Sequence, residues 1–174
     1  MRRLLDKAYL YSAGLAALSI LAICLLVSAQ VCLNILARLG GPDLSFTIPS
    51  YADFSGYLLA SASFLALAHT LRHGTHIRVN LVISRLSERP RWVLECVTLA
   101  VATLTSFYAT WFAALMTMES WQYGDKSTGI VAISIWMPQS VMVAGLALLG
   151  VAFLDTLIES LRAGRSVIVD HTVE

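Results

Sequence analysis

The chain has 174 residues, of which 57% are apolar and only 13% charged, with a formal net charge of +1 and a mean hydropathy of +0.73. Soluble domains carry about 25% charged residues, so a water-soluble enzyme and a nucleic-acid binder are both excluded. Three cysteines, Cys24, Cys32 and Cys96, form no C-x-x-C pair and no disulfide framework.

A helix rising 1.5 Å per residue needs about 20 apolar residues to cross about 30 Å of hydrocarbon. Charge-free runs from Ala8 to Ala37, Phe54 to Leu71, Cys96 to Met118 and Ser127 to Leu154 reach or approach that length. Lipid leaves backbone groups nothing to bond to, and these runs lack the strict alternation of barrel strands. The expected fold is therefore an all-α integral membrane protein with one four-helix domain, its spans at about 10–37, 51–71, 93–118 and 136–161.

The first span follows Met1-Arg2-Arg3, and Val27-Ser28-Ala29 offers a small-residue site of the kind that ends a signal peptide. Its apolar run exceeds the usual signal length and continues to Leu39, so an uncleaved span is expected. Near its far end Gln30, Asn34 and Arg38 repeat every four residues, a polar stripe able to pack helices within the bundle or against another membrane protein. Gly40-Gly41-Pro42-Asp43 then breaks the helix and opens a loop to about Ser50. Gly56-x-x-x-Ala60 gives the second span a small packing surface.

Between the second and third spans, Val79, Val82, Ile83 and Leu86 follow the i, i+3, i+4, i+7 pattern, with Arg78, Asn80, Ser84, Arg85 and Glu88 largely off that stripe. A short amphipathic helix lying on the membrane surface is expected, with Arg72, Arg78, Arg85, Arg89, Arg91 and Trp92 placed for phospholipid headgroups. Five arginines there also enforce topology. Before the fourth span, Gly124 and Gly129 mark a loop, the apolar stretch from Thr128 to Ile135 can dip into the interface, and Pro138 suits the first turn of a helix starting near Trp136. Residues 162–174 form a tail, expected to be flexible.

Arg2, Arg3, Lys7, Arg72, Arg78, Arg85, Arg89, Arg91, Arg162 and Arg165 fall on one side of the spans, and only Arg38 and Lys126 on the other. By the positive-inside rule, both termini and the loop after the second span are expected in the cytoplasm. Tyr9, Tyr11 and Trp92 mark the inner boundary, and Tyr51, Trp121, Tyr123 and Trp136 the outer one.

Candidate chemistry is thin. His69, His73 and His76 share a helical side, a pattern open to a metal or a haem, but a bis-histidine haem needs ligands from facing helices and the remaining histidine is His171 in the tail. They are read as interfacial histidines, with no metal and no cofactor expected. No nucleophile, base and orienting group share one membrane depth, so no catalytic residue is assigned. Glu95 lies one turn beyond Arg91. Asp155 and Glu159 share a face near the inner end of the fourth span, and their repulsion calls for a cation, either Arg162, an inner-loop arginine or one from a partner chain. No acid, lysine or arginine falls at the middle of any span, which argues against a self-sufficient ion-coupled carrier.

The segment His73-Gly74-Thr75-His76-Ile77-Arg78-Val79-Asn80-Leu81 resembles the signature loop of the small membrane subunit of tripartite ATP-independent periplasmic (TRAP) transporters, the DctQ-type family. Asn34-Ile35-Leu36-Ala37-Arg38 is similar to the family's Asn-x-x-x-Arg end of the first span, and Ser127, Gly129, Ile133, Trp136, Pro138 and Gln139 resemble the segment introducing its last helix. The chain departs at Tyr51-Ala52-Asp53-Phe54, where family members often carry a tryptophan and paired acids. The resemblance implies a multi-pass protein of the bacterial inner membrane, no enzyme, packed on the static scaffold of a large elevator-type subunit. That subunit would carry organic acids with sodium and hold the substrate and sodium sites, and a periplasmic binding protein would dock transiently. Two other readings remain open at this level: a haem-binding anchor of a respiratory complex, and a free-standing small oligomeric transporter.

Overall fold

A computed structural model describes residues 2–40, 46–72 and 87–164 of the chain. Four helices make up nearly all of it: α1 (Arg2–Gly40), α2 (Tyr51–Arg72), α3 (Glu88–Tyr123) and α4 (Trp136–Ala163). Each is long and apolar enough to cross a membrane. At 1.5 Å per residue, the 39 residues of α1 and the 36 of α3 extend roughly 54 to 59 Å, well beyond the thickness of hydrocarbon. Their surplus length carries charged residues such as Lys7, Arg38, Arg89 and Glu119 away from the apolar middles.

Local chemistry sets where the helices begin and end. Pro90 and Pro138 lie in the first turns of α3 and α4, where an absent N–H costs nothing, and Pro49 lies in the turn before α2. Gly124 and Gly164 close α3 and α4 in the left-handed conformation, and their N–H groups donate to the carbonyls of Ser120 and Ser160. Within the helices, hydroxyls turn back on their own chain. Thr98, Thr103, Thr105 and Thr110 each donate to the carbonyl four residues earlier, as do Ser55, Ser61 and Ser63 on α2.

The helices pack in the spatial order α1, α2, α4, α3, and the other pairings are marginal. Small residues let the central pair approach closely: a Cβ added at Gly145 of α4 would lie 2.6 Å from the carbonyl oxygen of Phe64 on α2. On the other flank of α4, the ring of Phe107 from α3 covers Gly150. Close backbone approach through small residues is how helices associate where lipid removes the hydrophobic drive. The amphipathic segment expected over Val79–Leu86, the Gly41–Pro42–Asp43 break and the tail from Arg165 lie outside the described residues.

This packing gives a first prediction. In Gly145→Ala the new methyl meets backbone, which cannot rotate away, so α2 and α4 must separate at an expected cost of about 1–3 kcal/mol. A lowered thermal midpoint of the detergent-purified protein measures it, while Gly14→Ala, where the space is open, leaves the midpoint unchanged or higher. Equal midpoints for the two variants would contradict this packing.

Candidate functional site

At the end of the bundle where α1 and α3 begin and α2 and α4 finish, basic residues dominate. Arg72, the last residue of α2, directs its guanidinium to two carboxylates one turn apart on α4. Its Nη1 lies 3.2 Å from Asp155 Oδ2 and 3.4 Å from Glu159 Oε2, and its Nη2 is 3.9 Å from Asp6 Oδ1 on α1. The Arg72 side chain is only 18% exposed. One cation therefore draws α1, α2 and α4 together and supplies the charge that the Asp155–Glu159 pair requires.

Beside this clamp, Tyr9, 2% exposed, packs with Ala68 of α2 and Ala152 of α4, surrounded by Leu5, Leu71 and Leu148. Among the described residues, the buried Tyr9 hydroxyl has no hydrogen-bond partner, while Asp155 Oδ2 is held by its ion pair with Arg72. The fourth helix joins at the same level. Trp92 of α3 donates its indole N–H to the carbonyl of Ser160 at 3.1 Å, and Cys96 Sγ lies 3.7 Å from the fully buried Ser160 Oγ. All four helices are thus tied at this end.

The opposite end is tied by uncharged groups and short loops. Gln30, 3% exposed, donates to Asn34 Oδ1 at 2.9 Å and accepts the Ile48 N–H at 2.8 Å, fixing the chain that leads into α2. Ser50 is held in the left-handed region at φ 56°, uncommon without glycine, and its hydroxyl accepts the N–H of Val131 at 2.9 Å. Residues 125–135 form a tight return: Ser127 N–H donates to Ile133, Ile135 N–H donates to Asp125, and Lys126 bridges to Ser134. Gly129 lies against Ser50 and the Asp53 carboxylate with no room for a Cβ. Trp121 and Trp136 meet edge-on, their centroids 4.5 Å apart, and Ile130 at the loop tip is 86% exposed.

Between the two ends an open groove of about 500 Å³ runs along α1, α2 and α4, lined by Leu15, Leu18, Leu58, Leu65 and three serines. Those serines, Ser19, Ser61 and Ser140, donate to carbonyls of their own helices, so the groove presents an apolar surface. Among the described residues, no group of three or more histidines, cysteines or acids is placed to hold a metal ion.

The residues singled out in the sequence scatter over these features. Arg72, Asp155, Glu159 and Trp92 meet at the charged clamp, and Gln30 and Asn34 meet at the other end. Arg38 and Arg89 are exposed, Arg91 is half-buried, Gly56 faces open space and Ala60 is half-buried. Trp136, Pro138 and Gln139 form the half-buried first turn of α4. Arg78, Arg85 and the loop motif His73, Gly74, His76, Ile77 and Val79 lie outside the described residues. Asp6, Ser50 and Ser160 take part without having been singled out. Asp6 was visible as a lone acid one turn before a boundary tyrosine, whereas nothing in the sequence marks either serine.

Removing the shared cation tests the clamp. Breaking a fully buried ion pair costs about 3–5 kcal/mol, and the partial exposure of these side chains brings the expected loss in Arg72→Gln to about 1–3 kcal/mol. The detergent-purified variant should melt earlier, and Asp155→Asn added to it should restore part of the loss. A double variant that falls by the sum of the two single losses would show that Arg72 and Asp155 are not coupled.

No curated protein and no solved structure matches the chain. The family model described as "Tripartite ATP-independent periplasmic transporters, DctQ component" matches residues 23–163, from the middle of α1 to the end of α4. That family is a transporter component and not a family of enzymes. With four helices fit to cross a membrane and a match over most of its length, the chain belongs to the DctQ component family, the small subunit of TRAP transporters.

Proposed function

We propose that this chain is the static small subunit of a sodium-coupled TRAP permease for organic acids, packed against the scaffold of the large membrane subunit. The observation that carries this reading is the uncharged middle of every helix. Coupling sodium to an organic anion demands ionic or polar groups and broken helices near the midplane, and here that depth holds no charged residue and the helices run through it unbroken. The chemistry then resides in the large subunit.

The basic end, with ten of the twelve lysines and arginines on its side of the spans, faces the cytoplasm by the positive-inside rule. Both termini lie there, in a bacterial inner membrane. Arg78 and Arg85, with Arg89 and Arg91, meet phospholipid phosphates on that side. Arg38 and the open face around Gly56 and Ala60 serve subunit packing. The rigid 125–135 return, with Ile130 at its tip, stands on the periplasmic side, where it helps the binding protein dock.

Co-expression with the large subunit of its own transporter tests this reading. Tagged on this chain alone, the two proteins should purify through size exclusion as one stoichiometric complex. Two proteins that are both present in the membrane yet fail to purify together would contradict it.

A further inference from the structure

Tyrosine and tryptophan ordinarily sit at the two membrane surfaces, where the ring meets hydrocarbon and the polar atom reaches water or headgroups. Tyr11 and Trp92 lie near one end of the bundle, and Trp121, Tyr123 and Trp136 near the other. Tyr108 breaks this pattern. It lies near the centre of the charge-free run from Cys96 to Met118, so roughly 15 to 18 Å of helix separates it from either end. Trp111 follows one turn later, still roughly 10 Å short of Met118.

Both side chains point away from the bundle. Tyr108 is 67% exposed and Trp111 65%, and neither the phenol hydroxyl nor the indole N–H has a hydrogen-bond partner among the described residues. The neighbouring exposed hydroxyls differ, because Thr98 and Thr105 bond to their own helix. Facing lipid, the two polar atoms of Tyr108 and Trp111 would stay unpaired in hydrocarbon, at a free-energy cost. Leu18, Leu21 and Leu25, exposed on α1 at similar depth, carry no polar side-chain atom and suit lipid.

The two aromatics belong to a stripe. Val101, Leu104, Tyr108, Trp111, Leu115 and Met118 recur at alternating four- and three-residue spacing, all of them exposed. That spacing is the period of a helix–helix seam. On the far side of α3, Leu99, Thr103, Ser106 and Ala113 form a buried stripe, on the flank where α4 packs.

We infer that the open stripe of α3 centred on Tyr108 and Trp111 is the docking face for a transmembrane helix of the large subunit, one that offers hydrogen-bond acceptors at mid-membrane depth. This rests on the assembly proposed above and adds the face and its chemistry. A second copy of this chain fits less well: within the stripe it would bring two indole and two phenol donors against two phenol oxygens as strong acceptors.

A photo-crosslinking residue placed at Trp111, in the full chain co-expressed with the large subunit and the binding protein, tests the inference. Leu21 on α1 and Leu59 on the open face of α2 serve as comparison positions. The expected result is an adduct with the large subunit from position 111, several-fold stronger than from position 21. Tyr108→Phe, which keeps the ring and removes the hydroxyl, should lower recovery of the complex by roughly threefold, in line with a single membrane hydrogen bond. An intact complex that crosslinks from position 59 or 21 but not from 111, or an adduct of this chain with itself from 111, would overturn the inference. Failure of the unsubstituted chain to form any complex would instead overturn the assembly reading beneath it.

Discussion

Hydrocarbon offers no hydrogen bond, and the hydroxyls along these helices answer by turning back on their own carbonyls. Thr103, Thr105, Ser61 and Thr156 all do so. The same constraint pushes charge to the ends, where water and headgroups begin. At one end the expelled charges are put to structural use: Arg72 holds Asp155 and Glu159 of α4 and reaches Asp6 of α1, while Trp92 of α3 bonds to Ser160. With lipid no less apolar than leucine, such polar contacts and the close approach at Gly145 supply much of what holds the helices together.

Ties at both ends make this a bundle fit to stand still. Beyond the clamp, Gln30 secures the entry to α2, and Ser50 and Asp53 seat the 125–135 return. A moving carrier needs an element with two arrangements of similar free energy. The described helices instead pack closely through small residues such as Gly145, Ala68 and Ala152, and such packed interiors resist continuous deformation. The proposed assignment of movement and ion chemistry to the large subunit accords with that packing.

The helices were legible in the sequence because spanning hydrocarbon imposes a crude signal, a long run without charge, which survives without any knowledge of packing. The family was legible from short motifs around the helix ends. Pairing was not. The Asp155–Glu159 repulsion announced that a cation was needed, yet Arg72 is far away in sequence and competed with four other arginines of the same loop for the role. Ser160 was invisible for a related reason: its carbonyl, not its side chain, receives Trp92, and every residue has a carbonyl. Tyr108 shows the opposite case. Its depth could be counted along the chain, but only its exposure on the outer flank of α3 made it a question.

The central claim is that this chain supports transport without performing it. Solute and sodium flux into proteoliposomes of defined composition tests that most directly. Vesicles holding the large subunit together with this chain, supplied with the loaded binding protein and a sodium gradient, should accumulate the organic acid, while vesicles holding this chain alone should match empty liposomes. Sodium-dependent uptake by this chain alone would contradict the account.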